Sequence, residues 1–219
     1  MMGFFRNKKK HYPDFWIEYE AAFKKRLPDD LSEIRFVVID SETTGLDQEK
    51  DRILSIGALS LQNSTIALNR TYEAYLYQHF YHAKNIAIHG ILKEEPKKRI
   101  TELEALIQFL EFIGNSVLVA HHAGFDKKMI DNALKRHGMP KLKNKVLDTS
   151  TLYKRTLLNS PLLQKQEQYS LDELAEKFSI SKKDRHTALG DAYITAIAFL
   201  KILEKLKLKK NFSVKRLLK

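Results

Sequence analysis

The stretch Phe36–Val–Val–Ile–Asp40–Ser–Glu42–Thr–Thr–Gly45 holds the residues best placed to do chemistry. A continuous apolar run rich in β-branched residues, closed by two carboxylates and a turn-forming Gly, reads as a buried strand that delivers acids to its carboxyl end. Side chains alternate along a strand, so Asp40 and Glu42 point one way and Ser41 the other. Two like charges beside an apolar core repel each other and resist desolvation unless a cation neutralises them or one keeps its proton. The pair suggests a metal site. The chain has no cysteine, so an ion must be held by Asp, Glu or His, which favours hard, oxygen-bound cations.

Three further positions could join such a site. Asp126, in His121–His122–Ala–Gly–Phe125–Asp126, lies where a short apolar strand passes into a helix. Alone it reads as a first-turn acid favoured by the helix macrodipole. Asp191, in His186–Thr–Ala–Leu–Gly190–Asp191–Ala, flanks the apolar face made by Ala188, Ala192, Thr195, Ala196 and Phe199. An acid there calls for a partner. Gly190 costs about 1 kcal/mol of helix propensity relative to Ala, which signals a close backbone approach. His186 lies five residues before Asp191, about 140° away on a continuous helix, so it can serve the same site only from the loop before the helix. Ser41 points away from the two acids, and little effect is expected of it.

The elements that must position these residues alternate in type. Residues 11–34 read as an extension with an aromatic helical stripe, Phe15, Trp16, Tyr19 and Phe23, stopped by Pro28 and expected to pack on its own domain. After the first strand, Ile53–Leu61 and Ile66–Leu76 read as a hairpin joined at Asn63–Ser64. Residues 78–99 lack a period and read as a loop with a short helix. Then come a helix capped by Thr101 and Glu104 and closed by Gly114, the strand Val117–Ala120, and a helix over Phe125–His137. A strand at Val146–Asp148, a helix near Thr149–Leu157, a surface loop over 158–168, a short helix capped by Ser170, and a last helix from about Thr187 to Lys207 complete the chain. Antiparallel strands followed by alternating strands and helices predict an α/β domain with a mixed sheet, here five strands flanked by helices.

Length and charge set the outer bounds. With 219 residues and 43% hydrophobic content, the chain can bury one substantial core. We expect a basic tail and amphipathic helix over 1–34, the main domain over 35–207, and a basic tail over 208–219. The net charge of +11 is concentrated at the ends: +4 over residues 1–10, +7 over 201–219, and zero between them. Such ends can attract phosphates or simply solvate the protein. No apolar run reaches the roughly 20 residues needed to span a bilayer and the N-terminus lacks secretory order, so a soluble cytoplasmic protein with no membrane partner is expected.

In their order and setting, Asp40–x–Glu42–Thr–Thr–Gly45, His121–His122–x–x–Phe125–Asp126 and His186–x–Ala–Leu–x–Asp191–Ala resemble the three motifs of the DnaQ-like (DEDDh) 3′→5′ exonucleases, with the proofreading epsilon type as a likeness. Ile88–His89–Gly90–Ile91 and Val146–Leu147–Asp148–Thr149 resemble its intervening landmarks. The resemblance implies a ribonuclease H-like fold. It implies that Asp40, Glu42, Asp126 and Asp191 bind two divalent ions, Mg²⁺ or Mn²⁺, that His186 is the general base, and that Thr43, Thr44 and His89 line the pocket of the terminal nucleotide. The implied substrate is nucleic acid with a free, single-stranded 3′ end, DNA or RNA, and proofreading would require a polymerase partner. Three departures stand out. His122 replaces the family's usual Asn, Ser41 replaces the commoner bulkier residue between the two acids, and Ser55 stands where many relatives carry an acid. The competing reading is a catalytically silent nucleic-acid-binding or polymerase-associated module, against which the complete set of acids and the histidine argue. Oligomeric state is open.

Overall fold

A computed structural model of the chain describes residues 11–78, 98–157 and 168–219. The strands are β1 Phe36–Thr43, β2 Ile53–Gln62, β3 Thr65–Leu76, β4 Arg99–Ile100, β5 Val117–Ala120 and β6 Val146–Asp148. The helices are α1 Asp14–Ala22, α2 Glu102–Ile113, α3 Gly124–Arg136, α4 Thr149–Thr156, α5 Leu171–Lys177, α6 Ala188–Lys207 and α7 Val214–Leu217. Local chemistry explains most boundaries. Asn63 and Ser64 both take positive φ, 47° and 58°, as a two-residue hairpin turn between right-twisted strands requires. Thr101 with Glu104 and Ser170 with Glu173 form full capping boxes at the starts of α2 and α5.

The strands form one mixed sheet in the order β4-β3-β2-β1-β5-β6. Six strands stand where five were expected. The addition is β4, two residues that pair in parallel with Tyr75 and Leu76, too short to carry any periodicity in sequence. Strand β1 lies at the centre, antiparallel to β2 and parallel to β5, which in turn runs parallel to β6. The carboxyl ends of β1, β5 and β6 therefore share one edge of the domain, the usual place for a site in an open α/β sheet.

Apolar layers cover both faces. Val37 and Ile39 of β1 pack into one layer with Trp16 and Tyr19 of α1, Phe109 of α2 and Met129 and Ile130 of α3. Phe36 and Val38 pack into the other with Ala192, Ala196 and Phe199 of α6. The aromatic stripe of α1 packs on the domain as expected, with Trp16 0% exposed and the Tyr19 hydroxyl donating to Asn144 Oδ1 at 2.7 Å. The expected basic tail after Lys207 contains α7, whose Leu217 is buried in the second layer.

Candidate active site

The alternation along β1 decides which carboxylate meets which neighbour. Asp40 and Glu42 share a face with Phe36 and Val38, the face that α6 covers. Ser41 shares a face with Val37 and Ile39, the face that α3 covers. Helix α6 thus delivers Asp191 to the two strand acids, while α3 delivers Asp126 to Ser41.

On the α6 side, glycines permit the approach. A Cβ on Gly57 of β2 would run into the backbone of Ala188 and Leu189, so only Gly lets the start of α6 settle on the sheet. A Cβ on Gly190 would run into the carbonyl oxygen of Asp184, so Gly190 lets the turn before α6 fold back on its first coil. That turn carries Arg185 and His186. The Thr187 side chain caps the helix by accepting from the Gly190 N–H at 3.1 Å. His186 stands before the helix with φ 65°, as its spacing to Asp191 required, with an exposed side chain and its N–H donating to Asp191 Oδ2 at 3.4 Å.

Asp40, Glu42 and Asp191 each offer a carboxylate oxygen within 4.8 Å of the others. Burial pushes Asp40 well above the ordinary carboxylate range, and the neighbouring charges of Asp126, Asp191 and Glu42 push it further. Glu42 rises to about 7 from burial and the proximity of Asp191. Asp191 is also raised by burial, against the opposing charge of Arg185. Its Oδ1 is buried with no hydrogen-bond partner. Two half-buried acids and one buried acid that repel one another, all-oxygen donors and an orphaned lone pair are what a hard divalent cation would satisfy.

On the α3 side, Asp126 is 4% exposed and its Oδ1 accepts from the Ser41 hydroxyl at 2.6 Å. Burial raises Asp126 to about 7, with the Ser41 hydrogen bond pulling the other way. Ser41 does point away from Asp40 and Glu42, but it points at the fourth acid, so the expectation that it matters little is corrected. Asp148 holds the start of α3: its Oδ2 accepts from the Ala123 N–H at 2.8 Å and its Oδ1 from Thr151 N–H at 2.9 Å. One acid at the end of β6 thereby fixes both the start of the helix that carries Asp126 and the cap of α4.

This geometry has relatives. The family model for exonucleases of the RNase T type matches residues 37–199, from the second residue of β1 into α6. This chain belongs to the exonuclease family. The DNA polymerase III subunit epsilon of Aquifex aeolicus is 34% identical over 197 residues, covering 88% of this chain and 94% of that one. A PolC-type DNA polymerase III from Caldanaerobacter subterraneus is 38% identical over 172 residues, 78% of this chain. The chain spans only 12% of that polymerase. Among solved structures, E. coli exonuclease I in complex with a dT13 oligonucleotide superimposes with a TM-score of 0.66 at 16% identity, over 80% of this chain and 42% of that one. Exonuclease X in complex with 5′ overhanging duplex DNA gives 0.62 at 20% identity, over 84% of this chain and 97% of that one. The fold is ribonuclease H-like, with helices flanking a mixed sheet.

The remaining predicted residues are placed unevenly. Thr43 donates its hydroxyl to the Gly45 carbonyl at 2.7 Å, and Thr44 donates to Asp51 Oδ1 at 2.6 Å. Both hydroxyls are engaged inside the turn after β1, where Asp51 packs so closely that a Cβ on Gly45 would meet its carboxylate. His89 lies outside the described residues, as do the other landmark residues around it. Ser55 is 1% exposed and pairs across the sheet with Glu42, so an acid at that position would add a charge beside the cluster. His122 has φ 56°, a conformation in which Asn and His are both enriched, and its ring lies 4.3 Å from that of His121. Burial and His122 push the pKa of His121 down to about 4, so its ring is neutral at physiological pH. Its Nδ1 is 2.9 Å from Thr149 Oγ1.

Sequence reasoning missed Arg185. In sequence it is only the residue before His186 in the loop that precedes the last helix. Its guanidinium instead bridges Asp191 and Asp172, and a signal was present only in the adjacency of an Arg to a histidine already singled out.

Proposed function

We propose that the chain is a divalent-metal-dependent 3′→5′ exonuclease that removes nucleoside monophosphates from a single-stranded 3′ end of DNA. The observation that carries the reading is the approach of Asp40, Glu42 and Asp191 to within 4.8 Å at the carboxyl end of the central strand. Asp40, Glu42, Asp126 and Asp191 would hold two ions, Mg²⁺ or Mn²⁺, which supply Lewis acidity to the attacking water and the departing 3′ oxygen. Buried acids kept from ionising by desolvation and mutual repulsion become ligands when cations neutralise them. Asp126 is aimed by Ser41, and Asp191 by Arg185 and the His186 N–H. His186 is exposed at the rim, where its imidazole would accept the proton of the attacking water. Thr43 and Thr44 contribute by holding the turn beneath the terminal nucleotide rather than by free hydroxyls.

DNA is favoured over RNA because both relatives named above are DNA polymerase III proteins, one of them a subunit of nearly the same length. We infer that the chain works beside a DNA polymerase in the cytoplasm, removing misincorporated 3′ nucleotides. Among the described residues no helix is long and apolar enough to cross a membrane. The experiment is direct: matched labelled DNA and RNA, single- and double-stranded, incubated with the purified protein and Mg²⁺, Mn²⁺ or EDTA. Stepwise shortening from the 3′ end of DNA, abolished by EDTA, is the expected result. Binding that survives EDTA without any cleavage would overturn the reading in favour of a silent binding module.

A further inference from the structure

Asp191 is a divided carboxylate. Its Oδ2 accepts from Arg185 Nη1 at 2.5 Å and from the His186 N–H at 3.4 Å, whereas its Oδ1 is buried without a partner. Arg185 is itself divided. Its Nε and Nη2 donate to Asp172 Oδ1 and Oδ2 at 2.8 and 3.3 Å, a bidentate grip on the first turn of α5. The Arg185 side chain is 18% exposed, Asp191 7% and Asp172 46%. One partly buried cation is therefore shared between an acid of the cluster and a solvated acid outside it. Its charge acts on Asp40 and Glu42 as well as on Asp191.

We propose that the Arg185–Asp172 pair sets how tightly the carboxylate cluster holds a divalent cation, Arg185 weakening that grip and Asp172 restoring it. The inference rests on the metal-dependent reading above and adds a control to it. A guanidinium against Asp191 subtracts from the negative field that attracts a divalent ion and occupies one of the oxygens the ion could use. Asp172, acting from the far side, offsets part of that charge and holds the guanidinium toward α5. The division of labour also leaves one ligand atom: with Oδ2 held by Arg185 and His186, the unpartnered Oδ1 of Asp191 would be the oxygen that holds a cation. Arg185 is accordingly a positioning residue, acting on the metal through Asp191.

The two variants of the pair should move metal affinity in opposite directions, which a merely structural role would not do. Loss of packing or of a hydrogen bond would weaken binding in both. Mn²⁺ binding by the full chain is measured by isothermal titration calorimetry, without nucleic acid, for the unaltered protein and for Arg185→Gln, Arg185→Lys, Asp172→Asn and Asp40→Ala. Outer partners of metal ligands typically change affinity about 10- to 100-fold, and sharing with Asp172 places this case at the low end. Arg185→Gln should tighten Mn²⁺ about tenfold and Asp172→Asn should loosen it about threefold. Arg185→Lys, which keeps the charge, should stay close to the unaltered protein. Asp172 is exposed enough that its replacement leaves the fold intact, which circular dichroism checks. Weaker binding in both Arg185→Gln and Asp172→Asn, or no change in either, overturns the proposal. A protein that binds no Mn²⁺, or binds it equally well after Asp40→Ala, overturns instead the metal-dependent reading on which it rests.

Discussion

Asp126 and Asp191 occupy equivalent places on opposite faces of one sheet, and they are held in different ways. Each sits in the first turn of a helix that starts near the end of β1, and each is about 95% buried, at 4% and 5% exposure. Asp126 is held by a neutral hydroxyl and lies outside the group of three acids that crowd within 4.8 Å. Asp191 is held by a guanidinium and lies inside that group. A neutral donor orients an acid without competing for it, whereas a cation orients and competes at once. The two faces of the sheet therefore present one acid whose charge is undiluted and one whose charge is shared.

The largest effects should come from removing the acids themselves. Asp40→Ala and Asp191→Asn should each lower exonuclease turnover by more than about 10³-fold, since groups that act as a unit fail together. Asp126→Asn should also cripple turnover yet keep one Mn²⁺ site in calorimetry, because Asp40, Glu42 and Asp191 still converge. Asp191→Asn should lose that site. If the two variants lose the same ions, the two-face distinction fails.

Stability should move against activity. The carboxyl pKa values of this cluster are raised in the folded chain, to about 7 for Glu42 and for Asp126. Stability from such groups is fully present below the ordinary carboxylate pKa and is lost as pH rises through the folded value. In EDTA, the cluster should therefore contribute a fall in melting temperature between about pH 5 and about pH 8. Asp40→Asn should flatten that fall. Mn²⁺ should raise the melting temperature more at the higher pH, where the acids are ionised and free to bind. Thermal scans with and without the ion check the sign.

Smaller losses should follow from disturbing the turn that carries His186. Replacing His186 with Ala should slow hydrolysis by about 10²-fold while sparing Mn²⁺ binding, as removal of a proton acceptor does. Gly190→Ala should push the Asp184–Thr187 turn away from α6 and cost up to about 10²-fold, the typical penalty of a misplacement of about 1 Å. Circular dichroism should stay close to the parent chain. Equal activity in Gly190→Ala would mean that the close approach serves packing alone.

How much of this was legible in sequence follows from what each residue depends on. β1 declared itself by a continuous apolar run, and the direction of Asp40, Glu42 and Ser41 followed from the period of two. Gly190 advertised its close approach because Gly is otherwise unfavourable in a helix. The placement of His186 in a loop followed from helical geometry. What α3 and α6 place on the two faces did not, because it depends on tertiary packing that no local pattern encodes. Ser41 thus looked inert when it bonds a buried acid, and Arg185 looked like loop solvation when it bridges two helices. The strand β4 escaped because two residues have no period, and the hydroxyls of Thr43 and Thr44 are engaged by Asp51 and Gly45, whose proximity only the folded turn creates.

The smallest predicted effect tests the neutral side of the comparison. The Ser41 hydroxyl donates to Asp126 and so favours its ionised form, offsetting part of the upward shift caused by burial. Ser41→Ala removes that donor without changing the charge of the site. Asp126 should then hold its proton to higher pH. The acidic limb of the pH–rate profile should move up by about half a unit to one unit, in keeping with the loss of a hydrogen bond to a charged group at a partly screened site. Activity at about pH 8.5 should fall no more than about threefold, because there the acid is ionised with or without its donor. Ser41→Thr, which keeps the hydroxyl, should restore the profile. A uniform loss at every pH would show that Ser41 sets the position of Asp126 rather than its charge, and the two faces would then differ only in what holds each acid in place.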